Sequence, residues 1–204
     1  MIDLVVLVAG KNEKYGIDIL LSRFIKLEIP QITYDIFVHP LRDPGIYHNG
    51  ADFLRPLATQ YSYTLVFLDH EGSGQETTSP DAISIKIKTD IERNGWPDRV
   101  EVIVFDPELE NWVWAESQHT ALALGWNSYP ELKNWLIQNG IWRQNSAKPK
   151  RPKEALETSL RMKRIPRSSS IYSEIAQNVN LNICQDQSFN HMKNILQRWF
   201  PKEE

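Results

Sequence analysis

The fold is decided near the start of the chain, where residues 2–27 read IDLVVLVAGKNEKYGIDILLSRFIKL. The run from Ile2 to Ala9 is almost entirely aliphatic, which is typical of a β-strand covered on both faces of a parallel sheet. After a turn at Gly10, apolar residues recur at spacings of three and four between Lys14 and Leu27, and this period predicts an amphipathic helix. A buried strand followed by a helix indicates a parallel α/β sheet.

The same alternation continues to about residue 105. Further strands are predicted at 32–38, 64–68 and 100–105. Helices are predicted at 51–60 and 81–94, and the breaker-rich segment HPLRDPGIYHNG is interpreted as a loop over 39–50. Four strands separated by helix-length crossovers favour an α/β fold with a mostly parallel four-stranded sheet and flanking helices.

From residue 106 onward the pattern changes to helices alone. They are predicted at 108–116, 129–139, 153–163, 171–178 and 188–199. The segment SAKPKRPKE, which is rich in lysine and proline, follows residue 145 and marks the best candidate for a domain boundary. We therefore expect an α/β domain over 1–145 and an all-helical C-terminal extension over 146–204.

The composition excludes several classes of protein. Hydrophobic residues make up 41% of the chain and charged residues 24%, so disordered and collagen-like classes do not apply. No apolar run approaches the roughly 18 residues that a membrane helix needs. The N-terminus has an acidic residue where a secretory signal has basic ones, and a single cysteine, Cys184, allows no intrachain disulfide. We expect a cytoplasmic protein with no membrane partner.

Acidic side chains follow three of the four predicted strands. Because the carboxyl ends of adjacent parallel strands meet at one edge of a sheet, these side chains are expected to lie close together. Such a cluster repels itself, and a divalent cation is the usual compensation. Carboxylate oxygens suit Mg²⁺ or Mn²⁺. The candidates are Glu13 after the first strand, Asp69 and Glu71 after the third, and Asp106, Glu108 and Glu110 after the fourth.

Each acidic motif also has a purely structural interpretation. In extended backbone Asp69 and Glu71 project to the same side and favour a shared ligand, but Glu71 can equally be a solvated loop residue. Asp106 can cap a helix, with the two glutamates after it in the first turn, where carboxylates favour the helix dipole. His70 is a possible ligand or base, and a hydrogen-bonded loop histidine is the more common alternative.

The formal net charge of −3 conceals an uneven distribution. Residues 143–167 contain nine Lys or Arg against two Glu, a net of +7, which leaves −10 for the rest of the chain. We call this segment the basic band. It predicts sequence-independent, salt-sensitive nucleic-acid binding, with Lys148, Lys150, Arg151 and Lys153 as the candidate contacts. A solvated surface, or docking on an acidic partner subunit, explains the same charges.

Three motifs together carry a resemblance to a known family. VAGKNEKYGIDILLSRF (8–24), FLDHEGSG (67–74) and VFDPELENWVWAES (104–117) resemble, in order and spacing, the acidic motifs of Toprim-like domains. With WNSYPELKNWL, KPKRPKEALE, PRSSSIYSEIA and LQRWFP, the whole chain looks most like a small Toprim-like component of bacterial methylation-associated antiphage defence systems. The resemblance implies a Mg²⁺ site that acts on nucleic-acid phosphodiesters.

One departure from the family pattern affects this expectation. Toprim-like domains usually have Glu-Gly directly after the first strand, and here the matching pair is Ala9-Gly10. In the enzymatic interpretation Glu13 replaces the missing acid, Asp69 and Glu71 hold Mg²⁺, and Glu110 or Asp106 completes the site. The alternative is a non-catalytic accessory subunit that binds a larger ATPase, nuclease or methyltransferase through its acidic edge or basic band.

Overall fold

The computed structural model describes residues 1–181 and 186–202, so Cys184 lies outside the described residues. Its centre is a four-stranded sheet with the spatial order β2-β1-β3-β4, in which all three strand pairs are parallel. The strands are β1 (Ile2–Val8), β2 (Tyr34–Val38), β3 (Tyr61–Asp69) and β4 (Val100–Phe105). The expected α/β class with a parallel four-stranded sheet, flanking helices and a helical C-terminal part is confirmed.

Helices cover both faces of this sheet. In the first part of the chain they are α1 (Lys11–Ser22), α2 (Phe24–Leu27), α3 (Arg42–Leu54) and α4 (Pro80–Glu92). In the second part they are α5 (Gln118–Ala123), α6 (Tyr129–Gln138), α7 (Pro152–Met162), α8 (Ser169–Asn178) and α9 (Gln187–Trp199). Short 3₁₀ turns span Arg55–Leu57 and Leu109–Trp112. No helix in these described parts is long and apolar enough to cross a membrane.

The aliphatic character of β1 follows from its central position between two apolar layers. Leu4, Val6 and Val8 belong to the core on the face covered by α1 and the C-terminal helices. Val5 and Leu7 belong to the core on the face covered by α3 and α4. Because successive side chains of a strand point to opposite faces, a strand buried on both faces needs apolar residues throughout.

The helices after residue 145 complete the larger of the two cores. Leu156 of α7, Ile175 of α8 and Met192 of α9 lie in the same cluster as Leu4 and Phe67 of the sheet. The separation of the chain into 1–145 and 146–204 stays a prediction.

The loop predicted over 39–50 is wrong, because α3 begins at Arg42. Pro44 lies in the first turn of α3, where a missing N–H has no helical partner to lose. Gly45 is required by packing, since a Cβ there would lie 2.2 Å from Nδ1 of His39. Residues that resemble a loop in sequence therefore begin a helix, and this places Asp43 at the carboxyl edge of the sheet.

Two predicted helices have different bounds. The helix predicted from Lys14 to Leu27 is interrupted at Arg23 and is divided into α1 and α2. The helix predicted over 108–116 is limited to the 3₁₀ turn Leu109–Trp112. This short turn brings both Glu108 and Glu110 to the end of β4.

Candidate metal centre

Three buried carboxylates meet at the carboxyl edge of the sheet. Asp69 ends β3, while Glu108 and Glu110 flank the start of the 3₁₀ turn after β4. One oxygen of each lies within 4.8 Å of the others. The three residues are only 7%, 5% and 2% exposed. We call Asp69, Glu108 and Glu110 the acidic triad.

Two further acids extend the triad into what we call the acidic cluster. Asp43, in the first turn of α3, accepts a hydrogen bond at Oδ1 from the backbone N–H of Asp69 at 2.8 Å. Glu13, in the first turn of α1, is 8% exposed, and its carboxylate folds back over Gly10. A Cβ at Gly10 would lie 2.7 Å from Oε2 of Glu13. Glycine at this position therefore leaves the space that the Glu13 carboxylate fills.

Backbone donors orient two members of the triad. Oδ1 of Asp69 accepts the N–H of Leu109 at 2.8 Å, and Oε1 of Glu108 accepts the N–H of Lys153 at 2.9 Å. The second of these bonds comes from the first turn of α7, so the C-terminal helices contribute directly to the site. The second oxygen of each carboxylate accepts no hydrogen bond from the described residues. A ligand could reach the second oxygen of Asp69 without displacing a hydrogen bond, whereas at Oε2 of Glu108 it would meet the ammonium group of Lys153.

Side chains from α8 and the segment before it orient Glu110. Its Oε1 accepts hydrogen bonds from Nη2 of Arg167 at 2.8 Å and from the hydroxyl of Tyr172 at 2.5 Å. Arg167 also pairs with Glu157 of α7 through Nη1. Both donors converge on one oxygen, and Oε2 of Glu110 accepts no hydrogen bond within residues 1–181 and 186–202.

A second cation, Lys153, contacts the triad. Its Nζ lies 3.7 Å from Oε2 of Glu108, and its side chain is 43% exposed. Although burial acts to lower the pKa of Lys153, the carboxylates of Glu110 and Glu108 raise it overall. Lys153 is therefore a permanent positive charge at the margin of the cluster.

Two cations do not fully compensate the five acids. Burial raises the pKa of Asp69 well above its usual range, and the charges of Glu13 and Asp43 raise it further. Burial, opposed in part by its own backbone N–H, raises the pKa of Glu13 to about 7. Burial is also the main cause that raises the pKa of Asp43 and of Glu108. The raised pKa values show that ionising all of these acids is costly in the fold, and that cost can be relieved by protons or by a bound cation.

The donor set fits a hard divalent cation. All its ligand atoms are carboxylate oxygens, which Mg²⁺ and Mn²⁺ prefer. Each triad carboxylate is held by a hydrogen bond at one oxygen, as outer partners commonly hold metal ligands. Asp69, Glu108 and Glu110 are the residues that can hold such an ion.

The sequence-predicted acids are divided between the cluster and the surface. Glu13, Asp69, Glu108 and Glu110 come together, whereas Glu71 and Asp106 are exposed outside the triad. Because β3 ends at Asp69, the extended backbone that would have aligned Glu71 with it does not continue. Oδ1 of Asp106 instead lies 3.5 Å from Nδ1 of His70.

The loop after β3 is held by its own hydrogen bonds. Nε2 of His70 lies 2.8 Å from the carbonyl oxygen of Thr78, and the N–H groups of Gly72 and Gly74 donate to Oε1 of Glu76. His70 therefore matches the alternative of a hydrogen-bonded loop residue.

The four residues predicted to contact nucleic acid lie in different environments. Lys153 belongs to the acidic cluster, and Lys148 pairs at 2.5 Å with the largely buried Asp186. Arg151 forms an exposed pair with Glu154 at 3.2 Å, while Lys150 is exposed. Within the described ranges, Lys150 makes no ion pair, so it is the member of the set best placed to meet a polyanion.

Sequence reasoning misses three residues of the site. Asp43 lies in the segment interpreted as a loop, and nothing in its neighbourhood resembles an acidic motif. Arg167 belongs to the basic band, but its pairing with Glu110 joins residues 57 positions apart. Tyr172 gives no signal, because a tyrosine on an amphipathic helix is most often core packing.

No family model, curated protein or solved structure matches the chain. The Toprim-like resemblance therefore stays a prediction that rests on the three sequence motifs. The geometry of the acidic cluster is the main indication of an activity.

Proposed function

We propose that this protein is a Toprim-like component of a bacterial antiphage defence system that uses Mg²⁺ or Mn²⁺ for phosphodiester chemistry on nucleic acid. One observation supports it most: each of three buried carboxylates is oriented by a hydrogen bond at one oxygen, with its other oxygen accepting none from the described residues. The motif resemblance supports the choice of nucleic acid and the assignment to defence.

In this proposal, each residue of the cluster has a separate role. The triad binds the cation, which supplies Lewis-acid stabilisation of the charge that develops on a phosphate. Asp43 fixes the backbone of Asp69, and Arg167 fixes the orientation of Glu110. Glu13 lies where α1 begins, four residues after Ala9, and its buried carboxyl group is the one we assign to proton transfer.

The experiment is a cleavage assay with single- and double-stranded DNA and RNA in the presence of Mg²⁺ or Mn²⁺. We expect wild-type protein to cleave at least one of these polymers, and Asp69→Asn to reduce the rate by about 100-fold or more. Asp52→Asn, an exposed acid of α3, serves as the matched control and should retain the rate. Absence of metal-dependent cleavage of all four polymers would contradict the enzymatic proposal.

A second candidate function, that of an accessory subunit, is favoured by the contacts that the residues of the basic band make. Lys153 and Arg167 of this band already pair with the triad, and Ala9 replaces the acid usual in the family. In the part of the chain that the structure describes, its exposed members Arg143, Lys150, Arg161 and Arg164 make no ion pair. As an accessory subunit, the protein would present these four charges to an acidic surface of a larger defence protein.

Co-expression with a candidate partner, an ATPase, nuclease or methyltransferase of a defence system, tests the accessory role. A stable complex in size-exclusion chromatography that is lost in an Arg161→Glu, Arg164→Glu variant supports this role. A complex that persists in this variant would remove the exposed charges from the interface.

A further inference from the structure

The strand β4 is an edge strand, and its outer side pairs with no other strand of the described residues. On its inner side, the carbonyl of Phe105 accepts the N–H of His70 at 2.8 Å. Alternate residues of a parallel strand bond to the same neighbour, so Val102 and Val104 direct their N–H and C=O groups outward. Of these four groups, only the carbonyl of Val102 has a partner within residues 1–181 and 186–202, the hydroxyl of Ser84 at 2.9 Å.

This outer side of β4 lies at the base of a cleft with a volume of about 1470 Å³. We call it the edge cleft. Pro80 and Ser84 of α4 line it on one face of the sheet, residues 102–104 form its base, and Trp112 and Trp114 line it on the other face. Pockets for small molecules usually have about 300–1,000 Å³, so the edge cleft has room for a larger ligand. It occupies the position where a fifth strand of the sheet would lie.

We propose that the edge cleft binds an extended, basic segment of a partner protein, which adds a fifth strand beside β4. Such a segment would satisfy the outward N–H groups of Val102 and Val104. In strand addition of this kind, main-chain hydrogen bonds supply affinity, and alternate side chains of the added segment supply specificity. The proposal is independent of the metal site, because Asp69, Glu108 and Glu110 do not line the edge cleft.

The charges of the edge cleft favour a basic segment. With histidine counted as neutral, its lining has four carboxylates, those of Asp81, Asp106, Glu116 and Asp186, against two ammonium groups, those of Lys133 and Lys148. Lys148 is paired with Asp186, and Asp106 lies 3.5 Å from His70. Asp81 and Glu116 make no ion pair with any described residue. Lysine or arginine side chains of a partner segment would therefore complement the excess of acids.

The walls of the edge cleft distinguish a single extended segment from a second copy of β4. Val102 and Ile103 are only 3% and 2% exposed, so the base of the cleft is recessed. Two copies of β4 would have to meet directly to pair, and α4 and the segment after β4 would collide with their counterparts first. An extended segment without such walls can enter the space that a folded domain cannot.

The test uses a fluorescein-labelled peptide of alternating lysine and valine, six residues long as β4 is. We expect fluorescence anisotropy to show binding to the wild-type protein, and amide hydrogen exchange to become slower at Val102 and Val104. The same peptide N-methylated at every residue cannot donate main-chain hydrogen bonds and should bind at least about 10-fold more weakly. A peptide of alternating glutamate and valine should also bind at least about 10-fold more weakly.

A variant of β4 tests the same contact from the side of the protein. Val104→Pro removes an outward N–H and leaves the pairing with β3 intact, since proline is tolerated on the free side of an edge strand. We expect it to weaken peptide binding by about 10-fold. Val38→Pro is the matched control on the other edge strand, β2, where the N–H of the next residue, His39, donates to Val8. It should bind the peptide as the wild-type protein does.

The contrary outcomes are equally specific. No binding at millimolar peptide would overturn the proposal, and so would binding that leaves hydrogen exchange at Val102 and Val104 unchanged. Equal binding by a folded Val104→Pro would also overturn it. If that variant does not fold, the N-methylated peptide decides the question on the wild-type protein. A dimer of the wild-type protein that excludes the peptide would show that a second copy, and not a partner protein, fills the edge cleft.

Discussion

Burial raises the pKa of the Glu13 carboxyl to about 7, against an ordinary value of 4.5. The unfolded chain therefore loses this proton first, so the free energy of unfolding falls between pH 4.5 and 7 and stays reduced above. In EDTA, we expect Glu13→Gln to be more stable than wild type at pH 8 by up to about 3 kcal/mol, and no more stable at pH 4. Urea unfolding at the two pH values measures this difference.

Charged groups around Glu13 modify the effect of its burial on its pKa. Asp43 and Glu110 raise its pKa, and Lys153 opposes them. Glu71→Gln replaces an exposed acid and should change the unfolding free energy by no more than about 0.5 kcal/mol at either pH. A loss of stability in Glu13→Gln at pH 8 would show that the ionised carboxylate is favourable in the fold.

The position of the Glu13 carboxylate also depends on Gly10, against which it packs. Gly10 has φ −150° and ψ 179°, an extended conformation that alanine adopts without strain. Gly10→Ala should displace the Glu13 carboxylate and lower the affinity for Mn²⁺ by about 10-fold, as loss of an outer partner commonly does. Gly16→Ala, where a Cβ meets nothing within 4 Å, should retain the wild-type affinity in the same calorimetric titration.

At the scale of elements, the N-terminus of α9 is fixed by a lysine that the sequence assigns to nucleic acid. Asp186 caps α9 by accepting the N–H groups of Ser188 and Phe189, and Lys148 donates to its other oxygen. Burial acts to raise the pKa of Asp186, but Lys148 and Ser188 lower it below its usual range. We expect Lys148→Met to reduce the unfolding free energy by about 2 kcal/mol, measured by urea unfolding at pH 7.

Lys150 gives the matching comparison two residues along the chain. Lys150→Met should leave the unfolding free energy within about 0.5 kcal/mol of wild type but weaken binding to DNA or RNA at low salt. Equal nucleic-acid binding by this variant, measured by fluorescence anisotropy, would exclude Lys150 from a polyanion surface.

The elements themselves show which sequence signals are sufficient. The buried runs of β1 and β4 are predicted closely, because strands covered on both faces need continuous apolar residues. The start of α3 is missed, because Pro44 and Gly45 resemble a loop unless the packing of Gly45 against His39 is known. When the first residue of a helix depends on tertiary contacts, the local sequence pattern does not predict it.

At the scale of the whole molecule, the sheet and the C-terminal helices share one core. Leu156 and Met192 are completely buried with β-strand residues such as Leu4. We expect one cooperative urea transition for the full chain, with coincident midpoints for tryptophan fluorescence and far-ultraviolet circular dichroism. Two separated transitions would show that the parts on either side of residue 145 fold independently.

The candidate site is predictable only as far as the topology determines it. Parallel strands place Asp69, Glu108 and Glu110 at one edge, and the sequence locates all three. The contacts of Lys153 and Arg167 arise from packing between segments 45 and 57 residues apart, which no local motif records. Glu71 fails to join the triad for a comparably specific reason, since β3 ends two residues before it.

These long separations have a consequence for the chain during its synthesis. During translation, all four strands and the triad emerge from the ribosome well before Lys153 and Arg167 do. A nascent chain thus holds its acids before the two cations that partly compensate them have been made. Because the sheet and the C-terminal helices share one core, the acidic cluster is expected to assemble only after the segment that contains both cations has been synthesised.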